Sequence, residues 1–213
     1  VESSKHGEDG SATLLVTSVV ENLDILEVFR ADRIVAQLTI SVPAEGEIGV
    51  STIGSAYEGI RIAGVECRPK LTKGLQPLER TPAGHHKSLT WSGVRAIGRT
   101  QAEFVLSKFK ARNESDAYQW AEKKYGWLMT DPPKGTASSL CSLVDDVDGA
   151  ESAASARCHG HVIEIPHFGR ITLGELIVSR GYVRLTGVRA DLGCVNSGGI
   201  TVCAEGGGGL GDD

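Results

Sequence analysis

Between residues 137 and 205, five short apolar runs alternate with four polar or glycine-bearing links, and no other feature narrows the fold as much. The runs SSLCSLV, CHGHVIEI, RITLGELIV, YVRLTGVRA and ITVCA are rich in Val, Ile, Leu and Thr. The links DDVDGAE, PHFG, SRG and CVNSGG carry the Gly, Pro, Asp and Asn of tight turns. Runs too short for core helices, separated by turns of this chemistry, predict an antiparallel meander.

Residues 12–70 continue the pattern through TLLVTSVV, LDILEVF, RIVAQLTISV and GVSTIGSAYEGIRIAGV. In the third of these, Ile34, Ala36, Leu38 and Ile40 fall on one face of a strand. The middle of the chain differs. TQAEFVLSKFK places Ala102, Val105, Leu106 and Phe109 on a helical stripe. In the next segment Asn113 is placed to cap a second helix, with Asp116 near its positive end, Lys123 and Lys124 near its negative end, and Gly126 as its stop. TDPPKG then breaks the chain. The expected fold class is mainly β: an antiparallel β-sandwich or two packed sheets, with a two-helix insertion. The expected organisation is a flexible N-terminal tail (1–11), one β-rich domain (12–205) with the helices at about 100–127, and a Gly-rich C-terminal tail (206–213).

The net charge of -5 argues against a nucleic-acid partner, whose phosphates demand clustered Lys and Arg. The apolar run LLVTSVV is far short of the ~20 residues of a membrane-spanning helix. The first residue is Val rather than Met, which fits a mature protein whose signal peptide has been removed and fits a trimmed chain equally well.

STIGSAYEGIRIAG (52–64), GHVIEIPHFGRITLGELIV (160–178) and VRADLGC (188–194) resemble bacterial secreted and surface proteins of the choice-of-anchor type. The resemblance spans most of residues 12–205 and rests above all on the GHVI…IP.FG…GEL block. It implies an extracellular or cell-surface, β-rich protein and carries no reaction with it.

Five cysteines are present and none forms a CxxC pair. Cys194 and Cys203 bracket a turn-forming NSGG and are disulfide candidates, with Cys141–Cys158 as a second pair. That pairing leaves Cys67 for an intermolecular bond. The alternative is that several are small buried hydrophobes.

CHGHVIEI reads as one strand, so His159 and His161 share a face, a geometry used for metal sites. His167, Glu164 or one of His85 and His86 would then be the third ligand. Ile163 and Ile165 continue the same face, so the plainer reading is a histidine abutting the core. Asp145, Asp146, Asp148 and Glu151 offer a loose calcium loop, although their spacing fails the EF-hand pattern. Trp91, Trp120, Trp127 and Tyr125 would form a sugar-stacking platform if exposed side by side. No GxSxG, P-loop or GxGxxG motif selects a nucleophile or nucleotide site.

These features together lead to an extracellular structural or surface subunit that self-assembles by β-strand addition and disulfides. SATLLVTSVV is its candidate for a donated strand. A carbohydrate-binding surface module and a metal-dependent hydrolase on the HxH strand are the alternatives. The expected partners are further copies, other surface proteins or a glycan, and no cofactor is implied.

Overall fold

Strands and turns dominate the computed structural model, which describes residues 2–7, 10–76, 88–111, 115–132, 138–153, 156–179, 181–193 and 199–206. Two antiparallel sheets pack face to face, and a helical pair covers the outer face of the second.

The chain opens with β1 (Glu2–His6), β2 (Ala12–Ile25) and β3 (Phe29–Val42). Short strands β4 (Gly49–Ser51), β5 (Ala56–Glu58), β6 (Arg61–Ile62) and β7 (Val65–Glu66) follow, then β8 (Arg68–Leu71) and β9 (Leu89–Thr90). The first sheet has the order β1-β2-β3-β4-β9, with β5 and β6 also against β3. Two expectations change here. TLLVTSVV and LDILEVF form one 14-residue strand and the turn after it, not two strands. GVSTIGSAYEGIRIAGV is broken by turns, so its pieces pair one after another along the same side of β3. The expected N-terminal tail contains β1, which pairs Glu2–His6 with Ala12–Val16.

The helices are α1 (Trp91–Lys110) and α2 (Ser115–Tyr125), the latter running into a 3-10 turn at Gly126–Met129. α1 begins nine residues before the expected start at Thr100, because its buried stripe runs through Val94, Gly98, Ala102, Val105 and Phe109. Gly93 and Gly98 disguise the first turns as loop in the sequence. Asn113 lies outside the described residues.

β10 (Ser138–Ser142), β11 (Val144–Asp148), β12 (Arg157–His159), β13 (Val162–Ile165), β14 (Gly169–Ser179), β15 (Tyr182–Leu192) and β16 (Gly199–Gly206) complete the chain. The second sheet is the expected meander, β12-β13-β14-β15-β16. SSLCSLV is not its first strand, however. It supplies β10, which lies beside the distal half of β14 where β13 has ended. β11 pairs with β8 instead.

The core follows from alternation. Ile34, Ala36, Leu38 and Ile40 are at most 1% exposed, as their shared face requires. On β14 the inward residues are Ile171 and Leu173, then Leu176 and Val178, so the parity shifts by one. Gly174 makes the shift with φ +64, where an added Cβ would stand 2.7 Å from Leu143 Cβ. The shift turns Glu175 to the outer face, toward the helices. There Phe109, Tyr125 and Leu128 pack over Leu140 and Val162 in a third apolar cluster. Among the described residues, no helix is long and apolar enough to cross a membrane.

Candidate functional site

The three histidines do not converge. CHGHVIEI is a hairpin, not one strand: His159 pairs with Val162, leaving Gly160 and His161 as the two-residue turn. Gly160 takes φ +67, the left-handed conformation such a turn requires. The shared strand face on which the metal reading depended is therefore absent. His159 packs its ring 4.2 Å from Phe109 and points Nε2 at Glu164 Oε2, 3.3 Å away. His161 meets the Tyr125 hydroxyl at 2.9 Å. His167 is exposed on the β13–β14 turn. Among the described residues, no group of three His, Cys, Asp or Glu is placed to hold a metal ion. His85 and His86 lie outside the described residues.

The acidic loop also disperses. Asp145 accepts from Thr72 Oγ1 at 2.8 Å and from Gln101 Nε2 at 2.7 Å. Asp146 and Asp148 face Lys70, while Glu151 sits exposed in a separate turn. Carboxylates dispersed in this way do not form a calcium cage.

Cys141 and Cys158 are free thiols in different apolar clusters, so the expected second disulfide is not formed. Burial pushes the Cys158 thiol up to about 12 and raises Cys141 as well. Cys67 is 3% exposed and out of reach of a neighbouring molecule. Cys203 is the exposed thiol, and Cys194 lies outside the described residues.

The aromatic platform is not assembled either. Tyr125 is buried, and Trp91 sits at the start of α1 beside Arg95. Trp120 and Trp127 remain, on α2 and on the 3-10 turn after it.

What the second sheet brings together is a row of charge. Arg157 on β12, Glu164 on β13, Arg170 on β14 and Asp191 on β15 are successive cross-strand partners. Partners in register project from the same face, at the ~4.8 Å spacing of neighbouring strands. Their charges alternate, and Arg170 Nε donates to Glu164 Oε1 at 2.8 Å. Arg170 also lies over the Trp120 ring, 4.4 Å from its centroid. Above the row is a cleft of about 660 Å³, walled on one side by Trp120 and on the other by the β13–β14 turn.

That turn is built from PHF. The Phe168 amide donates to the Ile165 carbonyl at 3.1 Å, with Pro166 and His167 at the two central positions. His167 takes φ +61 at the position a Gly or Asn ordinarily fills. A non-glycine residue held there stores ~1–2 kcal/mol of backbone strain. The closed turn holds an imidazole at the rim of the cleft despite that cost.

A glycosidase acid needs a carboxyl raised above its ordinary range. Burial raises Glu164, but hydrogen bonds from His159 and Arg170 outweigh it and hold the carboxyl below its ordinary value. An ionised Glu164 accepts hydrogen bonds and has no proton to give.

The sequence reading missed Arg157, Arg170 and Asp191. A usable signal was present, since Glu164 and Arg170 are symmetric about the PHFG turn and close the hairpin as a pair.

The family model described as "Domain of unknown function (DUF8256)" matches residues 1–179, ending at the last residue of β14. No curated protein and no solved structure matches the chain.

Proposed function

The chain belongs to the DUF8256 family, and within that family we propose that it is a non-catalytic, surface-displayed module that binds neutral glycans in the Trp120 cleft. The observation that carries this reading is the row Arg157–Glu164–Arg170–Asp191 on the cleft floor. Guanidinium groups donate and carboxylates accept, so the row presents alternating hydrogen-bonding partners to a string of hydroxyls. Its charges cancel, which gives no electrostatic advantage to a polyanion. A sugar hydroxyl both donates and accepts, and so suits such a floor. Trp120 supplies an apolar wall, its indole held in place by Arg170 on one side and Phe109 on another.

The test is a glycan array probed with the purified protein. Neutral oligosaccharides should be retained by the wild type and lost by Arg157→Ala. A blank array, or retention undiminished in that variant, would contradict the reading.

A second reading, self-association, is favoured by one open edge. β1 covers only Ala12–Val16, so the distal half of β2 has β3 on one side and no strand on the other among the described residues. Because β2 is integral to its own sheet, the N-terminal run is no spare strand. Its exposed edge is what could accept another copy. Light scattering should then give a mass above 22.5 kDa that rises with concentration. A mass of 22.5 kDa at every concentration would exclude this reading.

A further inference from the structure

The second sheet has another opening on the same face, beside the 3-10 turn that follows α2, with a volume of about 320 Å³. We propose that it is a distinct site for a carboxylate carried on a sugar ring, an acidic sugar of the uronate class.

The first argument is charge. Among the described residues, the charged groups lining this cavity are Lys124, Arg184, Arg189 and Glu175, three cations to one anion, in a chain whose net charge is -5. Glu175 is 3% exposed and already committed. Its carboxylate lies 2.7 Å from Lys124 Nζ and 2.6 Å from Arg189 Nη2. Arg184 is left over. It has no ion pair among the described residues, and its Nε is buried without a hydrogen-bond partner.

The second argument is stranded hydrogen-bonding capacity. Arg184 stands in register with Ile177 on the outer face of the sheet, where the cavity opens, and its buried Nε has no partner. Buried polar atoms are rarely left unsatisfied, so a guanidinium Nε stranded at the cavity calls for a polar occupant. A planar carboxylate meets a guanidinium through two parallel hydrogen bonds, a geometry particular to arginine.

The third argument is the rim. Trp127 and Tyr182 line the cavity and are among the few exposed large apolar side chains of the described residues, at 41% and 37%. Aromatic walls suit the C–H faces of a pyranose. The volume falls at the lower end of the ~300–1,000 Å³ range of small-molecule sites, which fits one ring rather than a chain.

This site stands apart from the glycan cleft, and the two are separable by their tryptophans. The experiment is a titration of the full chain with D-glucuronate at constant ionic strength, followed through the indole N–H resonances. D-glucose and sodium sulfate serve as comparison ligands. Glucuronate should shift the Trp127 resonance saturably while glucose and sulfate leave it in place. Arg184→Gln should weaken the effect at least ten-fold with the rest of the spectrum unchanged. If that variant fails to fold, Tyr182→Ala carries the same expectation, and Arg157→Ala should leave glucuronate binding intact. A Trp127 shift equally strong with glucose would show that the carboxylate is not read. An equal shift with sulfate would show an indiscriminate anion site, and no shift, or one indifferent to Arg184→Gln, would show no site. Each of these three results overturns the proposal.

Discussion

The phenol oxygen of Tyr125 and Nε2 of His161 share a hydrogen bond of 2.9 Å, with both side chains shut away from solvent. Burial lowers His161 to about 3, with Lys124 adding to the effect, and raises Tyr125 well above its ordinary value. The ring is therefore neutral at physiological pH.

A pH dependence follows. An unfolded histidine takes up its proton near 6.5, whereas His161 in the fold resists until about 3. Between those values the unfolded chain binds more protons, so stability falls as pH is lowered, by at most ~1.4 kcal/mol per pH unit. Glu164, held low, adds a loss only as pH falls below the ordinary carboxylate range. Urea unfolding at pH 7.5, 6.5, 5.5 and 5 should show the decline beginning near 6.5. His161→Gln should flatten it over the same interval; an unchanged slope would assign the effect elsewhere.

Glu175 supports a different prediction because it is the sole carboxylate between Lys124 and Arg189 in their ion-paired cluster. Glu175→Gln leaves two partly buried cations facing each other, and should cost roughly 3 kcal/mol. Lys124→Met removes only one of two counter-charges and should cost clearly less. The comparison of the two denaturation midpoints is the check, and equal losses would contradict the assigned geometry.

Gly98 sits inside α1 where the helix meets β10. A Cβ there would lie 1.9 Å from the Leu140 carbonyl oxygen, a backbone atom that cannot step aside. Gly98→Ala gains ~1 kcal/mol of helix preference and loses more through the forced separation, for a net destabilisation of about 2 kcal/mol. At Gly93 the nearest atom is the end of the Leu89 side chain, which can rotate away. Gly93→Ala should therefore be close to neutral. Thermal melts of the two variants would distinguish the sites.

Much of the architecture was legible because it rests on local alternation. Ile34, Ala36, Leu38 and Ile40 point inward as period two requires, and the Gly- and Pro-bearing links after residue 157 do turn the chain. What was hidden needed register. Arg157 and Asp191 belong to one row only because three hairpins place them there, and no local window of sequence spans that row. Gly160 between two histidines reads equally as a strand residue or a turn, and the choice decides whether HxH is a ligand pair. The same ambiguity concealed the first two turns of α1, where Gly98 serves packing rather than punctuation.

Thiol chemistry offers a further check on the cysteine assignments. In a Cys194→Ser background, Cys203 should react with a thiol reagent in the folded state, while Cys67, Cys141 and Cys158 should wait for denaturant. Fast reaction of more than one equivalent would show that one of the three is less buried than described.

The most direct measurement of the central claim is a titration with a neutral oligosaccharide that the array retains, followed through the three indole N–H resonances. The expected result is a saturable shift of Trp120 alone, abolished by Asp191→Asn, with Trp91 and Trp127 unmoved. A shift confined to Trp91 or Trp127, or none at any concentration, would contradict binding over the Arg157–Glu164–Arg170–Asp191 row.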